Sequence, residues 1–255
     1  MSHRETNLKP VSMFTITSKL INHVVQSVSE HFGEDGLALV KKGINHFRDE
    51  LIETVKAGAQ PYELNEDELL DFENLLDSKK LEETYKKFVH AQESAGVEQP
   101  LSIYAVMAKV FAHIAKAIVD EYGDKGKEAI KQGVGSFGNE RGRHIAKRAA
   151  SVGKPNTMEN YLTHYDMGRS DLFQYETIYH PTQIEQTFTA CAFGDQWKKD
   201  GMGEYGILYC QMIDPSIAKG YNQNFDVVHD AYILKEGRCH FLFQMNEKTD
   251  DSDKE

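Results

Sequence analysis

The chain has 255 residues, a formal net charge of −11 and an ordinary globular composition, long enough to bury a sizeable core as one domain or two closely packed ones. That acidity argues against nucleic acid, which is met by a basic stripe, and no apolar run approaches the roughly 20 residues that span a bilayer. Three cysteines, all in the last third and none in a CxxC pair, make no disulfide framework, and MSHRETNLKP lacks the hydrophobic core of a secretory signal, so a cytoplasmic protein with free thiols is expected.

In chain order, residues 1 to about 12 read as a disordered start. TITSKLINHVVQSVSEHF and EDGLALVKKGINHFRDELIETV predict two helices joined at Gly33. A loop follows at 56–65, marked by Gly, Pro and Asn. Helical spacing returns over 66–93, through Leu69, Phe72 and Leu76 and then Leu81, Tyr85 and Phe88. After a second loop at 93–100, helices are predicted from Ser102 to Tyr122 and from Lys125 to about Ala150.

This half contains an internal repeat. HFGEDGLALVKKGINHFRDE (31–50) matches EYGDKGKEAIKQGVGSFGNE (121–140): Gly33, Gly36, Gly43, Phe47 and Glu50 recur as Gly123, Gly126, Gly133, Phe137 and Glu140, and Lys19 and His23 recur as Lys109 and His113. Two copies are too few for a solenoid, so a duplicated helical hairpin is expected. Only the second copy carries Gly135, Gly138 and Gly142 on one helical face, which lets another backbone or a ligand come close. Asn139, Glu140, Arg141 and Arg143 beside that face make a ligand attractive, since arginine grips carboxylates bidentately; plain helix packing stays open.

From about Leu172 the pattern alternates. LFQYETIYH (172–180) and IEQTFTACAF (184–193) predict an antiparallel pair across a Pro-Thr turn, and FDVVHDAYILK (225–235) with RCHFLFQM (238–245) predict a second pair across Glu236-Gly237. Between them, Tyr205, Leu208, Tyr209, Met212 and Ile213 predict one helix over 203–219. The polar tail after Asn246 reads as disordered. The fold class is therefore α+β: a helical half with a duplicated hairpin, then a small antiparallel sheet with an inserted helix. Three regions are expected: 1–100, a helical arm with the first repeat copy; 101–246, an α+β domain; and 247–255, an acidic tail.

The inserted helix places Cys210 and Asp214 four residues apart, on one face, with Pro215 expected to stop or kink it just behind. A thiol and a carboxylate one turn apart suit a small catalytic site; equally, Cys210 is a small buried hydrophobe and Asp214 a cap. His229 could complete a thiol–imidazole–carboxylate set with them, although strand phase alone does not aim it at Cys210. Cys191, Cys210 and Cys239 with His240 could instead hold zinc, but the cysteine spacings lack the short paired ligands of such sites. No nucleotide, dinucleotide, zincin or nucleophile-elbow motif is present, and nothing points to a nucleotide, flavin or pyridoxal cofactor.

GNERGRHIA (138–146), CAFGDQWKKDG (191–201), YGILYCQMIDPSIAKGYN (205–222) and KEGRCHFLF (235–243) together resemble the L-2-amino-thiazoline-4-carboxylic acid hydrolases over roughly 102–245. The resemblance implies hydrolytic opening of a 2-amino-thiazoline ring to a carbamoyl-cysteine, with no cofactor and a small molecule as partner. It implies Cys210, Asp214 and His229 as catalytic residues, with Arg141, Asn139, Glu140, Asn222, Cys191 and His240 around the substrate. Ring closure by the same step reversed is the alternative reaction, and a homo-oligomer through the helical half is an open arrangement. The closing helix and hairpin also resemble 4-vinyl reductase domains, which implies a non-catalytic small-molecule module.

Overall fold

The computed structural model describes residues 8–168 and 170–246; of the expected disordered ends, 1–7 and 247–255 lie outside them, while 8–12 are placed, with the Lys9 carbonyl accepting from Arg148 at 2.9 Å and the Ser12 hydroxyl from the Phe14 N–H at 3.2 Å. The protein is α+β, in two compact units. One comprises residues 11–134 and 192–209; the other comprises the chain up to Pro10, residues 135–191 and residues from Cys210 onward.

The first unit is helical. α1 (Met13–Lys56) bends at Gly33, whose φ of 60° and ψ of −142° leave helical space, so the predicted joint is real. The stretch read as one helical segment over 66–93 divides into a 3-10 turn (Glu66–Glu68), α2 (Phe72–Leu76) and α3 (Ser78–Ser94). Its breaks are made by side chains: Asp71 accepts from the Asn74 N–H, and Asp77 from those of Lys79 and Lys80, each starting a new helix. α4 (Ile103–Tyr122) begins where the Ser102 hydroxyl accepts from the Ala105 N–H. α5 (Asp124–Ser151) gives this unit its residues as far as Val134.

The repeat closes on itself by reciprocal contacts. A Cβ on Gly43 would lie 2.7 Å from the His113 carbonyl oxygen, and one on the equivalent Gly133 would lie 2.7 Å from the Val24 Cα, next to the equivalent His23. Each copy's second helix thus presses a glycine onto the other copy's first helix. Phe47 and Phe137 are both fully buried. Glu50 accepts from His113 at 2.7 Å and pairs with buried Lys109, which also meets Asp200 at 2.8 Å.

Two further helices in this unit went unread or misread in the sequence. α7 (Ala192–Lys199) takes the end of the predicted strand 184–193 and buries Trp197, whose indole N–H donates to the Ala108 carbonyl at 2.8 Å. α8 (Gly203–Cys210) lays Gly206 on that ring, where a Cβ would come within 2.3 Å of Trp197. Trp197 of CAFGDQWKKDG and Gly206 of YGILYCQMIDPSIAKGYN are therefore a packing pair.

The second unit holds the expected small antiparallel sheet. β1 (Phe173–Tyr179), β2 (Gln183–Cys191), β3 (Phe225–Ala231) and β4 (Cys239–Met245) lie in the order β1-β2-β4-β3, so the two predicted strand pairs join through β2 and β4. The expected tight hairpin between the last two strands is replaced by a one-turn helix, α10 (Ile233–Glu236), ending at Gly237 with φ 74°. Phe241, opposite His229 and Gln186, shares one face with Cys239 and Phe243, while His240 and Leu242 point to the other. A bulge between His229 and Ala231 leaves Asp230 unpaired.

Two helices line this sheet, α6 (Met158–Thr163) near β4 and α9 (Ile213–Tyr221) along β3. Tyr161 of α6 meets the rings of Tyr221, Phe225 and Phe243 edge-on or tilted, with centroids 4.9 to 5.9 Å apart. The predicted helix over 203–219 is in fact α8 and α9, broken at 211–212. Pro215 acts upstream of itself: its ring and missing N–H forbid a helical bond to the Gln211 carbonyl, but they suit the first turn of a new helix. At Gly138 and Gly142 the glycine face of α5 is filled by backbone. Cβ atoms on Gly138 and Gly142 would lie 3.0 Å from the Ile213 carbonyl oxygen and 2.1 Å from that of Ile217.

Candidate functional site

Cys210 is buried at the end of α8, and Asp214 is half-buried in the first turn of α9. The break between the helices cancels the one-face relationship expected of an unbroken helix, yet the two groups still feel each other's charge. Burial raises the Cys210 thiol well above its ordinary range, and Cys191, Cys239 and Asp214 add to the rise. Cys239 accepts a hydrogen bond from the Ile233 N–H at 3.3 Å, and burial pushes its thiol up to about 12. These are protonated thiols at neutral pH. Among the described residues no group of three or more His, Cys, Asp or Glu is arranged to hold a metal ion.

Asp214 is the group poised near neutrality. Burial lifts its carboxyl to about 6, with the Arg141 guanidinium pulling the other way. Arg141 lies buried on α5, and its Nε and Nη2 donate to Asp166 at 3.1 and 2.5 Å. The guanidinium also lies 5.6 Å from the centroid of Phe137 and 5.3 Å from that of Tyr165. Tyr161 and Tyr165 share the electrostatic field of Arg141, Asp166 and Asp214, and burial keeps both phenols protonated.

His229 meets Cys210 through its backbone. Its Nδ1 lies 3.1 Å from the Cys210 carbonyl oxygen, and its ring lies 4.0 Å, centroid to centroid, from both Tyr232 and Phe241. Burial lowers its pKa to about 4, so it is neutral.

The other expected residues divide. Cys191, half-buried at the end of β2, belongs electrostatically with Cys210 and Cys239. Glu140 is half-buried on α5 beside Arg141. Asn139 donates back to the Gly135 carbonyl at 3.0 Å, and Asn222 pins a loop, donating to the Asn156 carbonyl at 2.8 Å and accepting from the Asn224 N–H at 2.9 Å. His240 lies on the opposite sheet face from His229, between Asp230 at 2.6 Å and Glu185 at 3.1 Å; the bond to Asp230 chiefly raises its pKa. Asp166 and Tyr165 are absent from the sequence reading. A buried Arg141 demands an acid, but nothing local to 165–166 announces that this is the one.

This chemistry belongs to a hydrolase-type family. Residues 104–243, over half of the chain, match the model described as L-2-amino-thiazoline-4-carboxylic acid hydrolase, and the chain belongs to that family. No curated protein matches the chain. Among solved structures, a point mutant of the iron(II), unliganded H-NOX protein from K. algicida shares 12% identity over 91% of this chain and 98% of its own, with a TM-score of 0.28. So loose a likeness carries no argument.

Proposed function

We propose that the protein hydrolyses a small cyclic amidine, of the 2-amino-thiazoline-4-carboxylate type, through water activated by Asp214. The observation that carries this reading is the carboxyl of Asp214, raised by burial to about 6 beside a cluster of thiols that burial keeps protonated. A general base works best with a pKa near the operating pH, and an uncharged thiol is a poor nucleophile. Both considerations favour water over Cys210 as the attacking group.

In the proposed step the water oxygen bonds to the ring carbon C2 and its proton passes to Asp214. The tetrahedral centre then collapses by breaking C2–S or the ring C2–N bond, and Asp214 returns the proton to the departing sulfur or ring nitrogen. The product contains one added water in either case. Cys210 and Cys239, kept uncharged by burial, supply soft walls in keeping with a sulfur-containing ring.

The test is incubation of the purified protein with L-2-amino-thiazoline-4-carboxylate, followed by mass and by thiol titration. A product heavier by one water is expected, and a new thiol identifies C–S cleavage. Asp214→Asn should lose turnover by about a hundredfold or more, the usual weight of a general base, while Cys210→Ser retains it. Full activity in Asp214→Asn, or its loss in Cys210→Ser alone, would refute the water route.

A further inference from the structure

A carbonyl oxygen can only accept, so the 3.1 Å contact with the Cys210 carbonyl fixes the proton of His229 on Nδ1. Nε2 of the neutral ring then carries a bare lone pair. That atom is buried and has no hydrogen-bond partner among the described residues; the Ala231 carbonyl also acts on the ring, but as an acceptor it cannot satisfy a lone pair. The ring is held on its faces by Phe241, its cross-strand neighbour, and by Tyr232 in the half-exposed link to α10. The imidazole is therefore oriented, neutral and chemically unfinished on one edge, within the unit that contains Cys210 and Asp214.

From this geometry we infer that His229 is the substrate's hydrogen-bond acceptor, taking an N–H of the ligand at Nε2, and so selects rings that carry an exocyclic amino group. The inference rests on the hydrolase reading and deepens it, because a 2-amino-thiazoline offers such an N–H and its 2-methyl analogue does not. A lone pair left without a donor in a dry site penalises ligands that cannot supply one. His229 acts in this account by recognition, and proton transfer remains with Asp214.

The experiment is 15N NMR of histidine-labelled protein, with and without L-2-amino-thiazoline-4-carboxylate or 2-methyl-thiazoline-4-carboxylate. His164, whose Nδ1 bonds the Asn160 carbonyl at 2.8 Å, serves as an internal reference of the same tautomer. The ligand-free spectrum should show His229 protonated at Nδ1 and bare at Nε2, and only the amino ligand should move Nε2 toward a hydrogen-bonded position. Calorimetry should show His229→Leu losing roughly 10- to 100-fold in preference for the amino over the methyl ligand, and His229→Gln, whose side-chain carbonyl accepts at a similar reach, recovering part of it. A proton on Nε2 in the free protein overturns the inference. An unmoved Nε2 during demonstrable ring opening overturns it and leaves the hydrolase reading standing. Failure of the wild type either to bind or to open the amino ligand overturns both.

Discussion

Arg141 and Asp166 form a buried two-point ion pair, with Nε and Nη2 of one facing both carboxylate oxygens of the other. The guanidinium expected to hold a substrate carboxylate is thus engaged by the protein's own acid. Each charge is tolerable in the interior because the other is there, so removing one strands its partner. Asp166→Ala should lower the unfolding free energy in urea by about 3–5 kcal/mol. Replacing both residues by apolar ones of similar volume should restore much of that loss. A single variant within about 1 kcal/mol of the wild type would mean that Arg141 finds another partner on its own.

Asp214 makes a pH-dependent prediction with a definite sign. Its carboxyl is raised from an ordinary 3.8 to about 6 on folding, so the folded state holds that proton more tightly than the unfolded chain does. The cost to stability is absent below about pH 4, grows between pH 4 and 6, and is complete above. Asp214→Asn removes it, and should be more stable than the wild type at pH 8 by about 2 kcal/mol, allowing for partial solvent contact. The two proteins should converge in acid. As the base of the proposed reaction, Asp214 also gives kcat/KM an ascending limb centred near pH 6. Parallel denaturation curves at pH 4 and pH 8, with the pH–rate profile, check both statements.

Glu50 has the opposite sign. Its hydrogen bond to His113, helped by Lys109, holds its carboxyl down to about 2 from 4.5 despite burial. The stabilisation is present above about pH 4.5 and is lost as pH falls toward 2. Glu50→Gln should therefore flatten the acid limb of the stability curve over that range and lower stability at neutral pH, because buried Lys109 keeps only Asp200. An unchanged acid limb would show that the network adds nothing to folding.

Features encoded over a few residues are legible in the sequence. Gly33 marks a real helix joint, Ser102 the start of a real helix, and Gly138 and Gly142 a face that another backbone does approach. The readings that fail depend on what lies further along or across the fold. Pro215 breaks the helix before itself, which turns Cys210 and Asp214 from members of one face into ends of two helices. Strand alternation says that His229 and His240 each choose a face, but only the register with Phe241 shows that the two faces differ. Asp166 reaches Arg141 across 25 residues of sequence, through a turn that no periodicity encodes.

The glycines of α5 distinguish close packing from mere permissiveness. A Cβ at Gly142 would fall 2.1 Å from the Ile217 carbonyl oxygen and 2.5 Å from the Tyr221 nitrogen, both backbone atoms of α9 that cannot turn aside. At Gly135 the nearest atoms are the ends of Met212 and Ser216, at 3.4 and 3.5 Å, which is ordinary contact. Gly142→Ala must push α9 away and should cost about 1–3 kcal/mol or more. Gly135→Ala gains helix propensity with little steric penalty and should stabilise by about 0.5–1 kcal/mol. Because α9 carries Asp214, the first substitution should also lower turnover while the second leaves it intact. Thermal melts of the two variants, with activity measured on the folded fraction, decide it: equal effects at both positions would mean that the glycine face serves flexibility rather than the seating of α9.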